Sequence, residues 1–298
     1  MATVNQRVKT PQAVTINGVD AGGIMTARLN YGYDNIIKST PDGLQVPVRD
    51  KECQFVRGSV TTQDWVHIID LLTGVVGTYV FYERKSGVAV ATGYIQHTIT
   101  NPVIHNVTIN FTKEGYAVCS FDFECLAADE TKGIADMWVP LDGQAAPTYI
   151  AAAYGGYRIL TAAHGALSIF HVTAFSFAVT IPLSKACNDG DVGYTCVDAD
   201  LDAMVAAGSI TFQDSTIATA TMVAQKLAVA APSALVLSVR QGQGEASKTI
   251  TIAGVDFDGF EDSGGGQGFT EYTGRFEVAN DLTTQLTLAG VNKIITIE

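Results

Sequence analysis

Apolar and polar positions alternate with period two along most of this chain. In the clearest case Val103, His105, Val107, Ile109 and Phe111 oppose Ile104, Asn106, Thr108, Asn110 and Thr112. That spacing predicts a strand with one apolar and one largely neutral polar face. The pattern recurs with Cys119, Phe121, Phe123 and Cys125 against Ser120, Asp122 and Glu124. Lys113-Glu114-Gly115 between the two runs supplies turn chemistry, so a hairpin is expected. The same alternation predicts strands near 24–33, 53–61, 78–84, 90–98, 172–181, 208–212, 234–240, 248–253, 270–279 and 293–297. The predicted fold class is mainly β.

Helical spacing is rarer. Asp64 is a good N-cap for a helix carrying Trp65, Ile68, Ile69 and Leu72 on one face, with Gly74 as its stop. A second helix is predicted after Asp214 and Ser215, through Ile217, Ala220, Ala224 and Leu227, closed by Pro232. A short third is predicted at Asp200–Ala206.

The two longer helices have matching approaches. Gly58-Ser59-Val60-Thr61-Thr62-Gln63-Asp64 precedes the first and Gly208-Ser209-Ile210-Thr211-Phe212-Gln213-Asp214 the second, half a chain length on. With each residue type at about 6% frequency, such a match arises about once by chance in a chain of this length. The order of the surrounding elements is what decides. Each half runs through a long strand, a polar loop, the Gly-Ser-x-Thr-x-Gln-Asp strand, a helix and an apolar strand (Tyr79–Tyr82, Leu235–Leu237). A Thr-Ile-Thr strand (98–100, 249–251), a hairpin and a Phe-Glu pair (Phe123-Glu124, Phe276-Glu277) follow in both. This order reads as a tandem duplication. The Gly-, Ala- and Pro-rich stretch around 142–156 keeps neither period. The chain therefore divides into 1–145 with an N-terminal arm at 1–12, a linker at 146–160, and a second unit at 161–298.

Charge adds a constraint. The 298 residues carry 18 basic and 30 acidic side chains, a net of −12. The acidity is spread, with 11 basic against 15 acidic groups in 1–150 and 7 against 15 in 151–298. Tight nucleic-acid binding draws on Lys and Arg to release counterions, so a protein that grips DNA is disfavoured. The polar start lacks an export signal, and no run of about 18 apolar residues is present to span a bilayer. A soluble product without membrane contact is expected.

Reactive chemistry is sparse. The five cysteines (53, 119, 125, 187, 196) show no CxxC spacing, and a loop disulfide between Cys187 and Cys196 is left open. Histidines 67, 97, 105, 164 and 171 form no metal-ligand pair, and each is expected to be a satisfied core or interface residue. Asp198-Ala199-Asp200-Leu201-Asp202 begins like a calcium loop, but Ala203 and Ser209 replace the required Gly and Glu. Asp256, Asp258, Glu261 and Asp262 fit a solvated acidic loop better than a cation site. Gly264-Gly265-Gly266-Gln267-Gly268 lies between predicted strands, so it suits a hairpin tip rather than a phosphate cradle. No catalytic residue, metal or cofactor is predicted, and a non-enzymatic role is expected.

Long amphipathic hairpins leave open sheet edges, and a ring of copies removes them. At the level of element order and composition, in two copies covering nearly the whole chain, the sequence resembles the major tail tube proteins of long-tailed bacteriophages. The resemblance implies two tandem tail-tube-like β-sandwich or barrel domains, each with one flanking helix and a long hairpin. It also implies self-assembly of three doubled subunits into pseudo-sixfold rings that stack into a virion tail tube, assembled in the host cytoplasm. It implies four inner strands per domain as well, and 24 strands spaced about 4.8 Å and tilted about 40° then close a barrel of about 24 Å radius. The resulting channel, about 40 Å wide, passes duplex DNA without specific binding. The hairpins expected to face the channel carry Asn106, Thr108, Asn110, Asp122 and Glu124 in the first unit and Asp256, Asp258, Arg275 and Glu277 in the second. The termini and the 32–50 and 185–200 loops are expected to meet the neighbouring ring. Tape measure, terminator and baseplate proteins are the further partners implied. The alternatives are a tail terminator or secretion-tube ring protein, and a β-rich binding module such as a capsid decoration or carbohydrate-binding protein.

Overall fold

The computed structural model describes residues 7–16, 18–21, 23–38, 48–65, 77–85, 88–89, 91–112, 117–127, 133–147, 158–187, 196–201, 204–213, 232–240, 246–263, 270–279 and 293–298. The chain is mainly β, and among the described residues every strand pairing is antiparallel. Its first half contains β1 (Arg7–Ile16), β2 (Val19–Ala21), β3 (Ile24–Lys38), β4 (Val48–Thr62), β5 (Tyr79–Lys85), β6 (Tyr94–Ile99), β7 (Pro102–Thr112), β8 (Val118–Cys125) and β9 (Trp138–Gln144). A single helical turn, α1 (Ile134–Met137), precedes β9. The second half contains β10 (Arg158–His164), β11 (Leu167–Ile169), β12 (Val172–Thr180), β13 (Leu183–Cys187), β14 (Cys196–Leu201), β15 (Val205–Phe212), β16 (Ser233–Arg240), β17 (Ser247–Ser263), β18 (Glu271–Val278) and β19 (Ile295–Ile297).

The order β3-β4-β8-β7 in the first half recurs as β12-β15-β18-β17 in the second, and β7 pairs with β12, so eight strands form one continuous sheet. A β2-β1-β5-β6-β9 sheet accompanies the first set, and β11-β10-β16 with β19 accompanies the second. The difference between halves is at one corner. In the first, the chain breaks between β6 and β7 at Asn101, which takes φ 50°; in the second, β17 runs through the corner at Gly254, φ 66°. Both are residue types that accept the left-handed region at low cost. Each corner carbonyl accepts a backbone N–H, from Leu126 and from Ala279.

The irregularities coincide as well. A bulge lies between Ile104 and Asn106 in β7 and another between Phe257 and Gly259 in β17, so Asn106 and Gly259 hold equivalent places. One lies between Ile24 and Thr26 in β3 and one between Val172 and Ala174 in β12, which equates Thr26 with Ala174. Bulges re-aim side chains. The first one corrects the assignment of His105: the extra residue moves it off the apolar face predicted by strict alternation, and it lines the polar face beside Asp122 and Arg57. The other described histidines differ in setting. His97 accepts from Trp138 Nε1 at 3.0 Å and lies 3.4 Å from Glu83, while His164 Nε2 lies 3.1 Å from the Val255 carbonyl. His171 is exposed in a left-handed turn; His67 lies outside the described residues.

The core fills between the layers. In the first half Val14, Ile16, Tyr79, Phe81 and Ile99 meet Val56, Val60, Val107, Ile109, Phe121 and Phe123, all buried. Phe123 is held between Tyr79 (5.2 Å, edge-on) and Phe81 (5.8 Å, stacked). Directly paired residues exchange size between halves: Val107 opposes Phe121, whereas at the matching register Phe260 opposes Gly274. A Cβ on Gly274 would stand 2.6 Å from the Phe260 ring, so the bulky partner has changed strands with little change in volume.

Several expectations are corrected. Asp200–Ala206 is not a helix: Cys196–Leu201 and Val205–Phe212 are strands, because pairing with β13 and β12 overrides the helix propensity of the alanines. Residues 7–12, read as part of an arm, belong to β1 and its sheet. The 142–156 stretch begins inside β9, and β10 starts within the expected 146–160 linker. Register matches Thr98–Thr100 with Thr251–Ala253 rather than 249–251, a slip of two that preserves the faces. Of the helix expected from Asp64, Trp65 is helical and buried; 66–76, the 214–231 helix, the 113–116 turn and the 264–269 tip lie outside the described residues.

Candidate assembly surface

The sheet of eight strands has its second face turned away from the core, and its composition follows directly from strand parity. One row across it reads Arg28, Ser59, Asp122, Asn106, Thr180 and Val205. The next reads Thr26, Thr61, Ser120, Thr108 and Ala178. On the β18 and β17 side, Glu277 opposes Asp256 and Arg275 opposes Gly259. All nine residues assigned from sequence to a channel lie on this face, although they differ in exposure. Asn110, Asp256, Asp258, Arg275 and Glu277 are exposed; Asn106, Thr108 and Asp122 are half-buried; Glu124 is only 7% exposed. Asp258 is the bulged residue of β17.

Charge is distributed unevenly. At the β3–β4 side stand Arg28 and Arg57, and the Arg57 Nε donates to Glu124 Oε1 at 3.0 Å while its guanidinium covers the Phe55 ring at 4.2 Å. That contact explains how a carboxylate can be buried on this face: its charge is paired. At the opposite side Asp256, Asp258, Glu261 and Glu277 outnumber Arg275, which bonds Glu261 at 3.0 Å. Between them the β7, β12 and β15 positions are small and uncharged: Thr108, Asn110, Ser176, Ala178, Ala207 and Ser209.

Asn106 ties the two halves. Its Nδ2 donates to Asp122 at 3.0 Å and its Oδ1 accepts from Thr180 Oγ1 at 3.4 Å, so one amide links β8, β7 and β12. The Ile181 N–H donates to the His105 carbonyl at 2.9 Å at the end of the same seam. A shallow depression of about 320 Å³ lies on this face over Arg28, Arg57, His105 and Asp122.

The residues named from sequence belong to β7, β8, β17 and β18; β12 and β15 were expected as strands, but their side chains and the arginines of β3 and β4 were not assigned to this face. The signal was there. Ala174, Ser176, Ala178 and Thr180 alternate with Phe175, Phe177 and Val179, a face of small neutral residues opposite a fully apolar one.

Other candidate chemistry recedes. Among the described residues no group of three or more His, Cys, Asp or Glu could hold a metal, and no helix is long and apolar enough to cross a membrane. Cys119 and Cys125 are free and buried, and burial pushes both thiols far above their ordinary range. Cys187 is paired in register with Cys196 across β13 and β14, while the side chains of both lie outside the described residues. No protein-family model matches the chain, and no curated protein matches it in sequence.

Proposed function

We propose that this chain is a structural subunit, a tandem duplication of one β unit, that closes with copies of itself into a ring around a channel for DNA and stacks into a tail tube. The observation that carries the proposal is the continuous eight-stranded sheet, with one face sealed by core and the other neutral to acidic. Among the described residues that sheet ends at β3 on one side and at the Asp256–Ser263 segment of β17 on the other. Open edges of that length are an aggregation liability unless they are paired.

Three copies supply 24 strands, which close a barrel of about 24 Å radius at the usual strand spacing and tilt. Side chains leave about 40 Å, wide enough for duplex DNA. Small hydroxyl and amide groups fill the centre of the face, and across the whole face carboxylates outnumber Arg28, Arg57 and Arg275, two of which are already paired with Glu124 and Glu261, so DNA slides without being held. The role is mechanical, and the partners are other copies of the chain. Negative-stain electron microscopy of concentrated purified protein tests it. Rings that stack into tubes are expected, with a central hole matching the channel width set by 24 strands. Monomers alone at high concentration overturn it.

A further inference from the structure

The seam between β7 and β12 provides a template for a contact that the isolated chain cannot make. By the coincident bulges, β17 occupies in the second half the place of β7, and β3 occupies in the first half the place of β12. β7 and β12 pair with each other; among the described residues the Asp256–Ser263 segment of β17 pairs only with β18, and β3 only with β4. We infer that the β3 edge of one copy receives β17 of a second copy, antiparallel, in the register of the internal seam. This inference rests on the ring reading and adds the residues to it.

The register follows by transfer. Asn106–Thr180, Thr108–Ala178 and Asn110–Ser176 are direct partners in the seam. Equating Asn106 with Gly259 carries β7 onto β17, and equating Ala174 with Thr26 carries β12 onto β3. The three seam pairs then become Gly259 opposite Gly32, Glu261 opposite Asn30, and Ser263 opposite Arg28 of the neighbouring copy.

Two independent observations fit that occupant. The first is burial: Val179 is 2% exposed at the seam, whereas Tyr31, at the same position on the β3 edge, is 47% exposed. A large aromatic at a core-side position, stacked on Trp138 at 3.8 Å on one ring face, is what remains when the strand beside it is missing. The second is charge: the β17 edge presents Asp256, Asp258 and Glu261, and the β3 edge presents Arg28, with Glu261 diagonal to Arg28 in this register. Complementary edges of this kind favour one register and disfavour pairing of like edges.

Cysteine cross-linking reads the register. The Ile181–His105 bond brackets Asn106–Thr180 as a non-hydrogen-bonded pair, so Thr108–Ala178 and its counterpart Glu261–Asn30 are of the same kind. Such pairs bring Cβ atoms within disulfide reach. Asn30→Cys and Glu261→Cys chains, both exposed sites, are mixed, assembled, oxidised and separated on a non-reducing gel, with the linked peptide identified by mass spectrometry. Thr26→Cys with Glu261→Cys, four residues out of register on the same face, is the control, and the unsubstituted chain sets the background from native cysteines. At least about tenfold more covalent dimer is expected from the in-register mixture than from the control. In the unsubstituted protein, amide exchange over 28–33 should slow by at least about tenfold on assembly. Rings that form without this cross-link, or with equal linkage from the control, or with unchanged exchange over 28–33, overturn the register while leaving the ring. Absence of any ring overturns both.

Discussion

Adding one methyl group at Gly58 tests whether the core-facing glycines of the sheet are there for space. A Cβ at this position would stand 2.3 Å from Phe123 Cζ, 2.6 Å from its Cε1 and 2.8 Å from the Arg28 carbonyl oxygen. Ordinary contacts between carbon atoms lie at about 3.5–4.0 Å, so more than about 1 Å must be found. The ring cannot supply it by swinging away, because Phe123 is fully buried between Tyr79 and Phe81. Nor can the carbonyl, which belongs to the β3–β4 ladder. Overpacking by a methylene usually costs about 1–3 kcal/mol, and with backbone as one of the two obstacles Gly58→Ala should cost about 3 kcal/mol. For a chain of this size that corresponds to a fall in melting temperature of about 6–12 °C by calorimetry. Phe123→Leu alone should cost about 1–1.5 kcal/mol, yet it makes room for the new methyl. The double variant should therefore be more stable than the sum of the single effects by at least about 1 kcal/mol. A Gly58→Ala protein within about 0.5 kcal/mol of the parent, or strict additivity with Phe123→Leu, would refute the steric reasoning. Gly208 repeats the arrangement, with Ser176 O at 2.4 Å and Phe276 Cζ at 2.5 Å from its notional Cβ, and Gly208→Ala should cost a similar amount.

Two further predictions concern charge. Arg57→Ala leaves the Glu124 carboxylate, whose side chain is 10% exposed, without its guanidinium, and urea unfolding should report a loss of about 1–3 kcal/mol. Arg275→Ala removes an ion pair with both partners 65% exposed and should change stability by less than about 0.5 kcal/mol; equal losses at the two sites would contradict the burial argument. Burial lowers the His164 pKa, opposed by its bond to the Val255 carbonyl and by the Asp256 charge. As pH falls through the ordinary histidine value of about 6.5, the unfolded chain therefore takes up the proton before the folded one, and stability drops until the lowered folded value is passed. His164→Leu should flatten that part of the profile, and parallel curves for parent and variant between about pH 7.5 and 5 would count against it.

Alternation alone determined the strand class and most strand positions here, because a sheet with one buried face imposes a period of two on every strand. The matched approaches to Gly58 and Gly208 were legible for a related reason: each glycine pairs directly with a phenylalanine of the neighbouring strand, Phe123 or Phe276, so both members recur together. What failed were the places where pairing overrides local preference. Ala206 and Ala207 favour helix in isolation, yet β12 and β18 need a strand there. His105 was assigned to the wrong face because a bulge inserts one residue, and nothing in residues 103–112 announces it. The β1, β9 and β10 strands, with polar or exposed positions, carry too little alternation to be seen.

Sequence by itself settled that the chain is β-rich and acidic and that matched segments recur in its two halves, since these are properties of composition and period. Only the tertiary structure decided that β7 meets β12, and so that the polar faces of both halves form one surface. Partner choice between strands depends on contacts between residues distant in the chain, such as Ile109 with Phe177. Alternation reports only which face of a strand is buried, and says nothing about which edge lies beside which.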